Sequence, residues 1–108
     1  MNSSFTANTI AWFDLHFQLS GKTIRVDHGY FLFSAISRCL PEFHKAQDVR
    51  LALIRGRYIG EGLLQLLPGS RITFRLPSDK AAQYINLAGK TLDLDGHQIR
   101  VGVPSSEA

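Results

Sequence analysis

A chain of 108 residues, 44% of them apolar and with a mean hydropathy of −0.03, has the material for one domain around one modest core. Its apolar runs fall short of the roughly 18 residues a membrane span needs, Met1-Asn2-Ser3-Ser4 lacks the regions of a signal peptide, and a single cysteine, Cys39, excludes a disulfide framework. A reducing, cytoplasmic setting follows as the expectation, and twelve Lys and Arg against nine Asp and Glu, a net +3, admit an anionic partner without proving one.

The chain opens on a strand. From Thr9 to Leu19, Phe13, Leu15, Phe17 and Leu19 point one way, while Asp14, His16 and Gln18 point the other. Ser20-Gly21-Lys22 turns the chain, and Lys22 to Val26 continues extended. Asp27 then suits a helix N-cap, because its carboxylate can accept the free amide hydrogens of a first turn. A helix from His28 to about Leu40 carries Leu32, Ala35, Ile36, Cys39 and Leu40 as its apolar stripe. Pro41 stops it, since proline lacks an amide hydrogen and disfavours a helical residue before it.

Val49, Leu51 and Leu53 alternate through a second strand, Arg50 to Arg55, and Gly56 to Gly62 reads as a turn region. Gly60, Gly62 and Gly69 mark loop or bulge positions around the apolar run Leu63 to Leu67. Arg71 to Leu76 is a clear strand with Ile72, Phe74 and Leu76 inward. A short helix capped by Ser78 reaches about Leu87. Thr91 to Leu94 and His97 to Val103 then form a hairpin around Asp95-Gly96, a dipeptide suited to a type I′ turn. The polar tail from Pro104 is expected to be loose.

Strand, helix, strand, strand, helix, strand is the βαββαβ order of a ferredoxin-like (RRM or RAMP) α+β fold, with an antiparallel sheet and two helices on one face. Residues 1–108 therefore form a single domain with an ordered core over 9–104.

Candidate chemistry rests on four histidines. His16 sits on the outward, solvated face of the first strand, and His97 follows the hairpin glycine. At about 100° per residue, His28 falls on the side of Leu32, Ala35, Ile36 and Cys39, so it points toward the core. His44 lies beyond Pro41, outside regular helix, beside Lys45 and six residues before Arg50. A histidine there can move a proton near neutral pH, and an adjacent cation can stabilise charge on a pentacoordinate phosphorus. The pair suits metal-free RNA cleavage; the plain alternative is an exposed loop histidine.

The spacings HxxxH, HExxH and CxxC are absent, so no metal is expected. Neither G-x-x-x-x-G-K-[ST] nor G-x-G-x-x-G occurs, so no nucleotide cofactor is expected either. Ser34, Ser37 and Arg38 share the polar side of the first helix. Arg38, Arg50, Arg55, Arg57, Arg71 and Arg75 are the candidate phosphate contacts, arginine being suited to bidentate binding. The outer sheet face (Asp14, His16, Gln18, Arg71, Thr73, Arg75, Arg100) lacks the aromatic pair on which an RRM stacks bases.

"VDHGYFLFSAISRCLPEFH" resembles the first-helix region of the Cas6-type CRISPR RNA endonucleases, especially their short Myxococcus-subtype (Cmx6) branch. "LAGKTLDLDGHQIRVGVP" is similar to the end of that family's N-terminal domain, so the resemblance covers roughly residues 9 to 104. It implies a ferredoxin-like fold and metal-independent cleavage within CRISPR repeat RNA to a 2′,3′-cyclic phosphate and a 5′-hydroxyl. It also implies a catalytic histidine in or just after the first helix, which points to His44 with His28 second, assisted by Lys45 or Arg50. Many members carry a tyrosine on that helix, where the comparable position here is Ser37. They also carry a second RAMP domain with a glycine-rich loop, so the implied partners are repeat RNA, a second RAMP domain or other Cas proteins. Two rival readings stand beside it: a non-catalytic RNA-binding or assembly module of a CRISPR effector complex, and an interaction domain that forms a homodimer through its open sheet face.

Overall fold

A computed structural model describes residues 11–107. The expected start of the first strand, Thr9, lies outside them. Strand β1 (Trp12–Ser20) occupies the middle of a five-stranded sheet. It pairs antiparallel with β6 (Arg71–Pro77), from Trp12↔Pro77 to Gln18↔Arg71. On its other side it pairs with β8 (His97–Glu107), with a bulge between Phe17 and Leu19. The edges are β3 (Arg50–Leu51) beside β6 and β7 (Thr91–Leu94) beside β8, giving the order β3-β6-β1-β8-β7. Set aside β7, and this is the expected ferredoxin-like arrangement.

Helix α1 (Gly29–Cys39) lies on one face of the sheet and buries Leu32, Ala35 and Ile36. The second helical segment is broken up: a 3₁₀ turn (Ser78–Lys80), α3 (Ala81–Tyr84) and another 3₁₀ turn (Ile85–Leu87), with Tyr84 and Leu87 buried. The sheet supplies Leu15 and Phe17 from β1, Ile72, Phe74 and Leu76 from β6, and Leu92, Leu94, Ile99 and Val101 from the final hairpin. The Phe74 ring is the hub, edge-on to Phe17 at 6.1 Å, Phe43 at 5.6 Å and Tyr84 at 5.2 Å between centroids. The hairpin turn is as expected, with Asp95 (φ 56°) and Gly96 (φ 89°) both left-handed, as a type I′ turn requires.

Five local expectations are corrected. Asp27 does not cap α1; its carboxylate is taken by Arg25, whose Nε–H donates at 3.0 Å and holds the acid below the usual carboxylate range. Ser78 caps nothing with its side chain, and its amide instead donates to the Ala11 carbonyl at 2.8 Å. The second strand ends at Leu51, because Ile54 is drawn off the sheet into the core and leaves Leu53 exposed. The chain after Pro104 is not loose: β8 runs on to Glu107 along β1, where Asp14 faces Glu107.

The fifth correction is the largest. The region Gly56 to Gly62, expected as a turn, holds strand β4 (Arg57–Gly60), and the apolar run after it holds β5 (Leu63–Gln65); the two form a hairpin that joins β2 (Thr23–Arg25) in a second sheet of order β2-β5-β4. Gly60, Glu61 and Gly62 all turn with positive φ. Gly56 packs so closely that a Cβ there would lie 2.5 Å from the Gln65 carbonyl oxygen, a contact only glycine avoids.

Candidate functional site

The site is made where α1 stops. Leu40, preceding a proline, leaves helical geometry (φ −130°, ψ 85°). Pro41 then starts a new single turn, α2 (Pro41–His44), at the first helical position, where a missing amide hydrogen costs nothing. His44 therefore stands within a helical turn rather than outside regular helix. Successive residues of that turn differ sharply in burial. Phe43 is 3% exposed and joins the aromatic hub, whereas His44 is exposed beside α1, its ring 5.9 Å from that of Phe33.

Between α1 and α2 runs an open groove of about 500 Å³, lined by Tyr30, Phe33, Ser34, Ser37, Arg38, Pro41, His44 and Lys45. One part of the lining is aromatic and apolar. The other brings together an imidazole, a guanidinium and an ammonium, which can shuttle a proton and hold an anion. The Ser37 hydroxyl in its wall is buried and has no hydrogen-bond partner among the described residues. Leaving such a group unpaired costs about 1–3 kcal/mol. Lys45 also borders a second hollow with Glu42, Asp48, Lys80 and Tyr84. There Lys80 Nζ donates to Asp48 at 2.9 Å and holds that acid below its usual range, while burial first, then the Glu42 and Asp48 carboxylates, push the Tyr84 phenol up.

The other histidines are engaged elsewhere. His28 is 1% exposed; its Nδ1–H donates to the Arg25 carbonyl at 2.8 Å, and its Nε2 accepts the Ile54 amide at 2.9 Å. It thereby ties the entry of α1 to the strand that leaves the sheet. His16 was expected on a solvated face, yet it is 5% exposed, bonded through Nδ1 to the Thr73 hydroxyl at 2.9 Å and through Nε2 to the Glu107 carboxylate at 2.5 Å. The continuation of β8 brings Glu107 to it. His97 Nδ1 lies 3.1 Å from the Thr23 hydroxyl. Among the described residues, His44 is the histidine without a hydrogen-bond partner in the protein.

The candidate phosphate contacts separate. Arg38 alone of the six arginines lines the groove. Arg50 lies on edge strand β3, in register with Arg75, and outside the groove lining. Arg75 is paired with Asp14 at 3.0 Å. Arg55 and Arg71 border a hollow of about 420 Å³ on the outer sheet face with Asp14, His16 and Thr73. Arg57 sits on the second sheet and donates to Gln65 Oε1 at 2.7 Å.

Tyr30 and Phe33 are groove residues that the sequence did not single out. Tyr30 is 75% exposed, four residues before Ser34 and eight before Arg38. The helical spacing that placed Ser34, Ser37 and Arg38 on one polar side places Tyr30 there too.

The family profile described as Cas6 (Cas6 Crispr) matches residues 13–108. A curated relative, the CRISPR-associated endonuclease Cas6 of Myxococcus xanthus (strain DK1622), is 32% identical over 108 aligned positions, which cover 94% of this chain and 44% of the relative. The chain thus spans less than half of that relative's length. A solved structure described as CRISPR associated protein Cas6 shares the fold with a TM-score of 0.68 at 14% identity, over 91% of this chain and 49% of that one.

Proposed function

The chain belongs to the Cas6 family, and we propose that it carries the cleavage centre of a metal-independent endoribonuclease that cuts CRISPR precursor RNA within its repeats. The observation that carries this reading is the groove: a histidine with no hydrogen-bond partner among the described residues, flanked by Arg38 and Lys45. The M. xanthus relative supports it, being described as an endonuclease.

In this mechanism the 2′-oxygen of the nucleotide before the cut attacks its own 3′-phosphate. The O2′–P bond forms and the P–O5′ bond breaks. His44 makes one of the two proton transfers, from the 2′-hydroxyl or to the departing 5′-oxygen, and solvent water makes the other. Lys45 and Arg38 stabilise the charge that gathers on the non-bridging oxygens of the pentacoordinate phosphorus. The products are a 2′,3′-cyclic phosphate and a 5′-hydroxyl. Arg50, Arg55, Arg57, Arg71 and Arg75 hold more distant phosphates, and the repeat is gripped jointly with a second RAMP domain, on the same polypeptide or on a partner. His28, with both ring nitrogens occupied, keeps a structural place.

A repeat RNA with a single 2′-deoxy nucleotide before the cut tests this chemistry. It is expected to bind like the all-ribose repeat and to resist cleavage. Cutting of the deoxy RNA at that position would exclude attack by the 2′-oxygen. If the all-ribose repeat is also bound and left intact, the chain is instead an RNA-binding module.

A further inference from the structure

The groove beside His44 is more aromatic than a phosphate site requires. A phosphodiester asks for cations and hydrogen-bond donors, which Arg38, His44 and Lys45 supply. Phe33, 38% exposed and 5.9 Å from the His44 ring, offers a phosphate nothing, and Tyr30 offers it only a phenol hydroxyl at the edge of a large exposed ring. Exposed rings next to cations are how proteins hold unpaired nucleotides, because every base has a π face while the cations take the backbone. The outer sheet face, where related folds stack bases, presents Asp14, Gln18, Arg71 and Arg75, with a single exposed ring, Trp12, at the end of β1 and no pair of rings. One hydroxyl in the groove wall, that of Ser37, is buried without a partner, and a turn about χ1 toward the groove would let it find one on a ligand.

We propose that the groove receives one unstacked nucleobase next to the scissile phosphate, held against Phe33 and Tyr30, with the Ser37 hydroxyl meeting its polar edge. The inference deepens, and rests on, the RNA-cleaving reading of the same groove. Its consequence is that the cut is selected partly by which nucleotide can leave the helical stack. Phe33 and Ser37 are then specificity-determining residues rather than catalytic ones.

The test removes the base and keeps the chemistry. Repeat RNAs are made with an abasic ribose at either nucleotide flanking the cut, so that the 2′-hydroxyl and the phosphate remain. Base stacking of this kind corresponds to an effect of about 5- to 150-fold. Single-turnover cleavage by the wild-type chain is expected to fall by about that factor for one of the two abasic RNAs. Phe33→Leu, which keeps an apolar side chain against Phe43, is expected to slow the unmodified RNA and to shrink the abasic penalty severalfold. Ser37→Ala, a smaller change on the same helix, is expected to shrink it less. An equal penalty in wild type and both variants, or no penalty at either position, would overturn the base site. If unmodified RNA is bound but not cut, the cleavage reading fails separately, and the same ratios measured as affinities decide the base site by the same criteria.

Discussion

Replacing His44 with alanine is expected to slow repeat-RNA cleavage by about 10²–10⁴-fold, the usual contribution of a positioned proton-transfer group. Affinity for the uncut RNA should stay close to that of the wild type, because Arg38, Lys45 and the sheet-face arginines are untouched. The fold should stay intact as well, since the His44 side chain is exposed and makes no hydrogen bond to the described residues. His28→Ala provides the contrast. It strips the Arg25 carbonyl and the Ile54 amide of a buried partner, and each unsatisfied group costs about 1–3 kcal/mol. The His28 variant should therefore melt at a lower temperature and, where folded, cleave at the wild-type rate. The opposite pattern, with His44→Ala active and His28→Ala stable but inactive, would transfer the catalytic role.

The second large effect is expected next door. Phe43→Ala should cost about 3–5 kcal/mol, as truncation of buried aromatics generally does, against a total stability of about 5–15 kcal/mol for a domain of this kind. Phe43 is nearly fully buried and touches three rings, Phe33 at 5.0 Å, Phe74 at 5.6 Å and Tyr84 at 6.2 Å. The turn that bears it has only four residues, too few to be stable alone. Its burial is what holds His44 beside α1. Urea denaturation should show the loss of stability, and cleavage by the variant should remain poor even at low temperature, where the rest of the domain is folded. Full activity in a folded Phe43→Ala variant would show that α2 is held by something else.

How much of this was legible beforehand differs from element to element. The alternation at Phe13–Leu19 and Arg71–Leu76, the stripe of α1 and the Asp95-Gly96 turn identified the ferredoxin-like sheet, because burial on one face leaves a period that residues display directly. The β4–β5 hairpin was not legible. Its strands are short, its turn holds two glycines, and its partner β2 lies more than thirty residues earlier in the chain. His16 misled for a related reason: its outward parity was right, but only the long-range pairing of β8 places Glu107 over it. In the groove, the sequence picked out His44, Lys45 and Arg38, all polar residues around one helix end. Tyr30 and Phe33 were passed over because the polar side of α1 was read from its serines and arginine alone, and Arg50, brought into consideration by proximity in sequence, lies on the edge strand outside the groove lining.

The most direct test of the account is the chemistry of the ends. Labelled repeat RNA is incubated with the protein in excess EDTA, and the products are treated with and without acid before phosphatase and kinase. Fragments ending in a 2′,3′-cyclic phosphate and beginning with a 5′-hydroxyl are expected, formed by wild type and not by His44→Ala. Fragments with 3′-hydroxyl and 5′-phosphate ends, or cleavage that EDTA abolishes, would contradict metal-independent attack by the 2′-oxygen.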